Sequence, residues 1–339
     1  MEANKNTIDN NIVISSRIRL ARNIKYNKLS AKISQKEAYN IIDEVKKIID
    51  SNDTTSKMGF NLAYLKNMSD LELNALIERH IISPQLVKNK SKAAFMLSED
   101  KNIIIMLNEE DHIRLQVLNK GLNLEGCLST ANEIDDILEE SLDFAFDRDL
   151  GYITSCPTNI GTGMRASVML HLPALAMTNQ LEKILIAISQ IGVAVRGVYG
   201  EGTKSLGNMY QISNQGTLGA QEETLVSRIR QITMQLVEKE STTRNQLIEN
   251  NKIYLEDEIF RAYGTLKNAR IIHIQEAMRL LSMIKFGIEV GILNNIIDNC
   301  IDELMIKIQP SNMQMMLNEN FNKQERSVKR AEIIRAKMS

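Results

Sequence analysis

Cysteine is scarce in this chain: Cys127, Cys156 and Cys300 have no metal-ligand spacing, which argues against a thiolate metal site. An odd count without a signal peptide points to reduced thiols in the cytosol, and the polar start MEANKNTIDNN fits no targeting segment. No apolar run reaches the roughly 18 residues a membrane span requires, so a cytoplasmic protein is expected. Charge of one sign is lacking too, since 41 Lys and Arg stand against 42 Asp and Glu. A general nucleic-acid or membrane-surface role finds no support in that balance, and any basic site must be local. Tryptophan is absent and proline occurs four times, while Met, Ile, Lys and Asn abound, a habit of AT-rich genomes more than a functional signal.

A chain of 339 residues with 43% hydrophobic content can bury a large core, enough for two domains or one large domain with an appendage. IVISSRIRL alternates as a strand, with Ile14, Ser16 and Ile18 on one face and Ser15, Arg17 and Arg19 on the other. Two capping boxes, Ser34 with Glu37 and Ser69 with Glu72, open helices, the second ending near Arg79 and His80. AAFML and NIIIMLN flank SEDK as a hairpin, a helix is expected over about 126–147, and another over about 178–191. ITSCPTNIGTGMRASVML reads as strand, loop and strand; VAVRGVY and SLGNMYQIS read as further strands. From about residue 220 helical spacing takes over, which sets a boundary near 240. The fold class is therefore α+β, a largely antiparallel sheet flanked by helices over 1–240 and an all-helical unit over 241–339.

One phosphate-binding device is missing. RGVYGEGTKS has Gly197 and Gly202 at P-loop separation, but Thr203 intervenes before Lys204 and Ser205, and a strand rather than a helix follows. Arginines at strand spacing offer another route to phosphate: Arg17, Arg19, Arg114, Arg165 and Arg196 fall in sheet segments interspersed with GTG and GEG turns. A buried guanidinium must meet an anion, and a charge-assisted bond to a phosphate oxygen contributes roughly 1.5–3 kcal/mol. Singly, each arginine reads equally as a surface or ion-paired residue. Among the acids, Glu109, Glu110 and Asp111 follow an apolar strand, where a solvated turn is the plain reading, whereas Glu201 stands between glycines that permit close approach to a ligand.

SSRIRLARN, NEEDHIR, CPTNIGTGMRAS and RGVYGEG, in this order, resemble the signature set of the phosphagen (guanidino) kinases, which transfer the ATP γ-phosphoryl group to a guanidinium nitrogen. Only about eleven residues precede the first motif and a helical region follows the last, a layout similar to the bacterial protein arginine kinases. The resemblance implies a glutamine synthetase-like catalytic domain followed by a helical domain for dimerisation and phosphoarginine binding. It implies nucleotide contacts from Ser15, Ser16, Arg17, Ile18, Arg19, His80, Arg114, Arg165, Ala166, Ser167, Val168, Met169, Arg196, Gly197, Val198, Tyr199, Gly200 and Glu201. Glu110 and Glu201 match the pair that grips the guanidinium. Cys156 aligns with the family's reactive cysteine, although a small packing residue beside Pro157 is the plainer reading.

The family's phosphoarginine motif, R-D-x-x-R-A, matches Arg326, Ser327, Val328, Lys329, Arg330 and Ala331, with serine in place of aspartate; an ordinary basic helix is the other reading. ATP and Mg²⁺ are implied, with no protein ligand for the metal. The implied partners are proteins with exposed arginines, among them a stress-gene repressor, the Clp ATPase and protease, a zinc-binding activator and a second copy of the chain. A kinase for free arginine or another small guanidine, and a non-catalytic adaptor binding phosphoarginine or nucleotide, are the competing readings.

Overall fold

The computed structural model describes residues 11–198, 205–294 and 299–338. An eight-stranded antiparallel sheet organises its first part. The strands are β1 (Val13–Arg22), β2 (Asn61–Tyr64), β3 (Ala94–Leu97), β4 (Ile103–Leu107) and β5 (Ile113–Lys120), then β8 (Met164–His171), β9 (Val193–Gly197) and β10 (Met209–Asn214). Their order across the sheet is β2-β3-β4-β5-β1-β8-β10-β9, so β1, first in the chain, lies at the centre. A separate small hairpin joins β6 (Phe146–Asp147) to β7 (Gly151–Tyr152).

Helices α1 (Gln35–Ser51), α2 (Asp70–Glu78), α3 (Leu124–Glu139) and α4 (Leu181–Gln190) accompany the sheet. Both expected capping boxes are formed, at Ser34 with Glu37 and at Ser69 with Glu72. Strand alternation then divides the sheet chemically. Ile18, Leu20, Ala166, Val168 and Ile212 turn to one face and pack, fully buried, against α1 and α3 and the first half of α5 (Glu222–Asn268). A covered face of this kind supplies the hydrophobic stabilisation, and it leaves the opposite face of the same strands free for polar chemistry.

Helices α5, α6 (Ile274–Glu289), α7 (Asn299–Lys307), α8 (Pro310–Leu317) and α9 (Lys323–Met338) form a second unit. Its core places Leu255, Ile259, Ala262 and Leu266 of α5, at helical spacing, with Met278, Leu281 and Ile284 of α6. The boundary expected near 240 falls inside α5, which continues to a non-helical residue at Asn251 (φ −135°, ψ 29°).

Three expectations change. The helix expected over 126–147 stops at Glu139, because Phe144 bridges Ile24 and Phe146 pairs with Tyr152 instead. SLGNMYQIS is a strand only from Met209, since Gly207 and Asn208 take positive φ (72° and 54°) in a turn. A register shift between Val13 and Ser15 takes Ile14 off the face of Ser16 and Ile18 and into a cleft on the other side.

Candidate active site

The polar face is defined by register. Arg19 lies opposite Arg165, Arg17 opposite Ser167 and Ser15 opposite Met169 across β1 and β8. Gln211 of β10 lies opposite both Met169 and Arg196, and Arg114 of β5 opposite Ala21. Cross-strand partners share a face, so Arg17, Arg19, Arg114, Arg165 and Arg196, from four strands, project to the same side.

These cations are not neutralised by one another. Arg17 donates to Gln211 Oε1 at 2.7 Å and to Ser167 Oγ at 3.3 Å, both uncharged. Burial, then Arg114, Arg165 and Arg196, pull its pKa down to about 10. Arg19 is lowered well below its ordinary value by burial, then by Arg17, Arg114 and Arg165, with Glu109 opposing; its shielded Nε has no hydrogen-bond partner among the described residues. Arg165 is lowered by burial, Arg196 and Arg114. Like charges gathered on a half-buried surface favour binding of a polyanion.

His80, at a φ of 59°, closes the end of α2 beside Arg17, and Gln116 Nε2 donates to its carbonyl at 3.2 Å. Burial and the Arg17 charge hold its imidazole pKa down to about 4, so the ring is neutral near pH 7.

The three acids of NEED, alike in sequence, part company here. Glu109 is buried and accepts from Ser83 Oγ and Arg114 Nη1. Asp111 is buried and accepts from Asn23 Nδ2 and the Ser155 amide, each at 2.7 Å. Glu110 alone is exposed. Its backbone is clamped, the amide donating to Glu109 Oε2 at 2.9 Å and the carbonyl accepting from Ser155 Oγ at 2.9 Å. Partial burial, then Asp111 and Glu109, raise its pKa, against the lowering effect of Arg114. A fixed backbone with a raised carboxylate that no described residue engages suits a group that must take up a proton.

Other expected site residues are distributed differently. Ser15, Ser167 and Met169 line the cleft beside Arg17, and Gly197 ends β9. The side chains of Ile18, Ala166 and Val168 lie on the covered face, and Val198 joins the core of the second unit. The Ser16 hydroxyl is engaged by the Gly121 carbonyl (2.8 Å) and the Asn123 amide (2.9 Å). These side chains do not reach the cleft. Tyr199, Gly200 and Glu201 lie outside the described residues, as do Thr203 and Lys204. Cys156 is half-buried with its Sγ 3.1 Å from Thr158 Oγ1. Sequence reading missed Gln211, which orients Arg17, and the structural duties of Glu109 and Asp111.

In the C-terminal motif, Arg330 is buried and donates to the carbonyls of Ile308 (3.0 Å) and Ile272 (3.1 Å). Ser327 bonds His273 Nδ1 and the Lys323 carbonyl, Arg326 donates to the Phe321 carbonyl, and Ala331 is buried. As folded, Arg330 and Ser327 hold α9 to its neighbours.

Residues 40–243 match the family model for the ATP:guanido phosphotransferase C-terminal catalytic domain, and residues 252–339 that for the protein-arginine kinase McsB C-terminal domain. A protein-arginine kinase of Clostridium acetobutylicum is 45% identical over 335 residues, 98% of this chain and 97% of its own. One of Clostridium kluyveri is 43% identical over 328 residues, 97% and 95% respectively. Among solved structures, the duplicated taurocyamine kinase of Schistosoma mansoni aligns with a TM-score of 0.60 at 24% identity, over 77% of this chain and 39% of that one. A lombricine kinase aligns with a TM-score of 0.58 at 25% identity, over 71% and 68%. The arginine-bearing antiparallel sheet, the two family models met in chain order and the end-to-end relatives agree: the chain belongs to the protein-arginine kinase family of ATP:guanido phosphotransferases.

Proposed function

We propose that the arginine face receives the triphosphate of ATP and that Glu110, with Glu201, grips the guanidinium of an arginine side chain in a protein substrate for in-line attack on the γ-phosphorus. The observation that supports this most is the gathering of five arginines from four strands on one face, with the free carboxylate of Glu110 in the loop just before Arg114. A guanidinium holds its proton about 8 pKa units more tightly than an unperturbed glutamate, a cost of about 11 kcal/mol, so full deprotonation before attack is disfavoured. The carboxylates instead orient one nitrogen and accept its proton as the N–P bond forms and the γ-phosphoryl leaves ADP. The arginines stabilise charge on the transferring group.

Mg²⁺ would travel with the nucleotide and supply charge neutralisation on its phosphates. Residues 1–240 would carry catalysis and 241–339 dimerisation; exposed Ile253, Tyr254 and Phe260 on α5 support a homodimer. No described helix is long and apolar enough to cross a membrane. A cytoplasmic setting, with the stress-gene repressor, Clp machinery and zinc-binding activator as partners, belongs to the same proposal.

Incubating the chain with γ-labelled ATP, a generic protein and free arginine tests the reading. Acid-labile, base-stable label on the protein is expected; label on free arginine alone, or none despite ATP binding, contradicts it. Glu110→Gln is expected to lower kcat by about 10²–10⁴-fold while ATP affinity changes little. Because the carboxylate must be ionised and its pKa is raised, activity should fall with decreasing pH on a limb above the ordinary glutamate range.

A further inference from the structure

The cap of helix α8 comes from the other unit. Its own N-cap residue, Gln309, turns its side chain to the Met305 carbonyl (3.1 Å), and the carboxylate of Glu78, at the end of α2, serves in its place. Glu78 accepts from the Ser311 amide at 2.9 Å and from the Asn312 amide and Nδ2 at 2.9 and 2.8 Å. A carboxylate at a helix N-terminus meets both the open amides and the positive end of the helix dipole, so these bonds are strong ones. Asn312, buried, returns the contact: its Nδ2 also donates to the Ala75 carbonyl (3.1 Å), and its Oδ1 accepts from Arg79 Nε.

What this seating secures is the conformation of His80. Arg79 ends α2, and His80 follows at a φ of 59°, its amide donating to the Ile77 carbonyl (2.9 Å) while the Ile81 amide donates to that of Leu76 (3.0 Å). That left-handed closing position ordinarily falls to glycine, and a histidine there carries backbone strain that its surroundings must hold. The hold comes from both sides. Glu78 and Arg79 tie the preceding turn to α8, while Gln116 donates to the His80 carbonyl and Ser83, three residues on, donates to Glu109. The imidazole so placed lines the cleft of about 530 Å³ beside Arg17. Strain maintained at the wall of a ligand cleft points to pre-organisation for what binds there.

We propose that Glu78 and Asn312 are positioning residues of the nucleotide site: with α8 seated on the end of α2, the His80 imidazole is set against the nucleotide that Arg17 binds. The proposal rests on reading the arginine face as the triphosphate site. Glu78 and Asn312 act through His80 and not by touching the nucleotide. ATP affinity therefore depends on contact between the two units, and a displacement of α8 from α2 would lower it.

Calorimetric titration of the full chain with Mg-ATP, read beside melting curves, tests this. Glu78→Ala should bind ATP about fivefold or more weakly than the wild type, and Glu78→Gln, whose amide oxygen still accepts from α8, should stay within about twofold. The dependence must run through His80. In a His80→Asn background, where asparagine tolerates the left-handed backbone, adding Glu78→Ala should change affinity by less than about twofold. Asn312→Ala breaks the latch from the helical unit and should give the same pair of results, which keeps the comparison readable if Glu78→Ala melts below the titration temperature. Wild-type affinity in both Glu78→Ala and Asn312→Ala overturns the proposal. So does an equal loss with and without His80, the mark of a general loosening of the fold. A wild-type chain that binds no ATP refutes the nucleotide reading and the proposal with it, whereas a wild type that binds ATP and is insensitive to both substitutions refutes the latch alone.

Discussion

Arg244, buried beneath the helical unit, sits 2.9 Å from Glu240 and 2.9 Å from Glu289. Arg22, equally buried, meets Asp135, two carbonyls and the face of Tyr152 at 3.5 Å. Arg19 and Arg165, on the open face of the sheet, have chiefly other arginines as charged neighbours. The same side chain thus serves two ends in one molecule. Where acids surround it, the guanidinium ties elements together: Glu240 also accepts from the amides of Ala174 and Leu175, and Glu289 is also ion-paired with Lys285. Where the described residues supply few acids, the charge is left for a ligand, and the fold carries the repulsion as a cost.

The largest test of this contrast falls on the paired set. Arg244→Met should destabilise the chain by about 3–5 kcal/mol, because Glu240 and Glu289 both lose a buried cationic partner they share; chemical denaturation measures it. A change below 1 kcal/mol would mean the network contributes no more than a surface pair.

A smaller effect comes from the field of the unpaired set. His80 has a depressed folded pKa of about 4, with Arg17 among the causes, so below pH 6.5 the unfolded chain binds a proton the native chain refuses. Stability should therefore decline as pH falls from 6.5 towards about 4, by at most about 3 kcal/mol. His80→Asn, which tolerates the positive φ of 59°, should flatten that part of the stability profile. An identical profile in the variant would place the acid sensitivity elsewhere.

The smallest concerns orientation. Removing the acceptor of Arg17 with Gln211→Ala should weaken ATP binding by about 1 kcal/mol, roughly fivefold, with kcat little changed. A fall in kcat without a change in affinity would assign Gln211 to the chemical step.

Much of this contrast was legible in the sequence, because it depends on alternation and local capping. Arg17 and Arg19 share a strand face by the period of two, and Ser34 and Ser69 announce their helices three residues ahead of a glutamate. What stayed hidden depends on partners distant in sequence. Nothing in NEED separates Glu109, taken by Ser83 and Arg114, from Glu110, left open, until the loop meets Ser155 and Asn23. Nor does ERH reveal that Glu78 accepts from the Ser311 and Asn312 amides at the start of α8 while Arg79 grips Asn312. That latch joins the two units two residues from His80, across more than two hundred positions of chain. The overextended helix after Leu124 failed for the same reason, since Phe144 answers to Ile24, just past β1, and not to helical spacing.

The most direct test compares melting temperatures of the wild-type chain and Arg19→Met, with and without saturating Mg-ATP. Without nucleotide the variant should be at least as stable as wild type, because a repelled and partly desolvated cation is gone, and the stabilisation brought by ATP should shrink markedly. A variant that melts lower without nucleotide yet gains as much from ATP as the wild type would show that Arg19 is a structural residue, and that the arginine face is not built for phosphate.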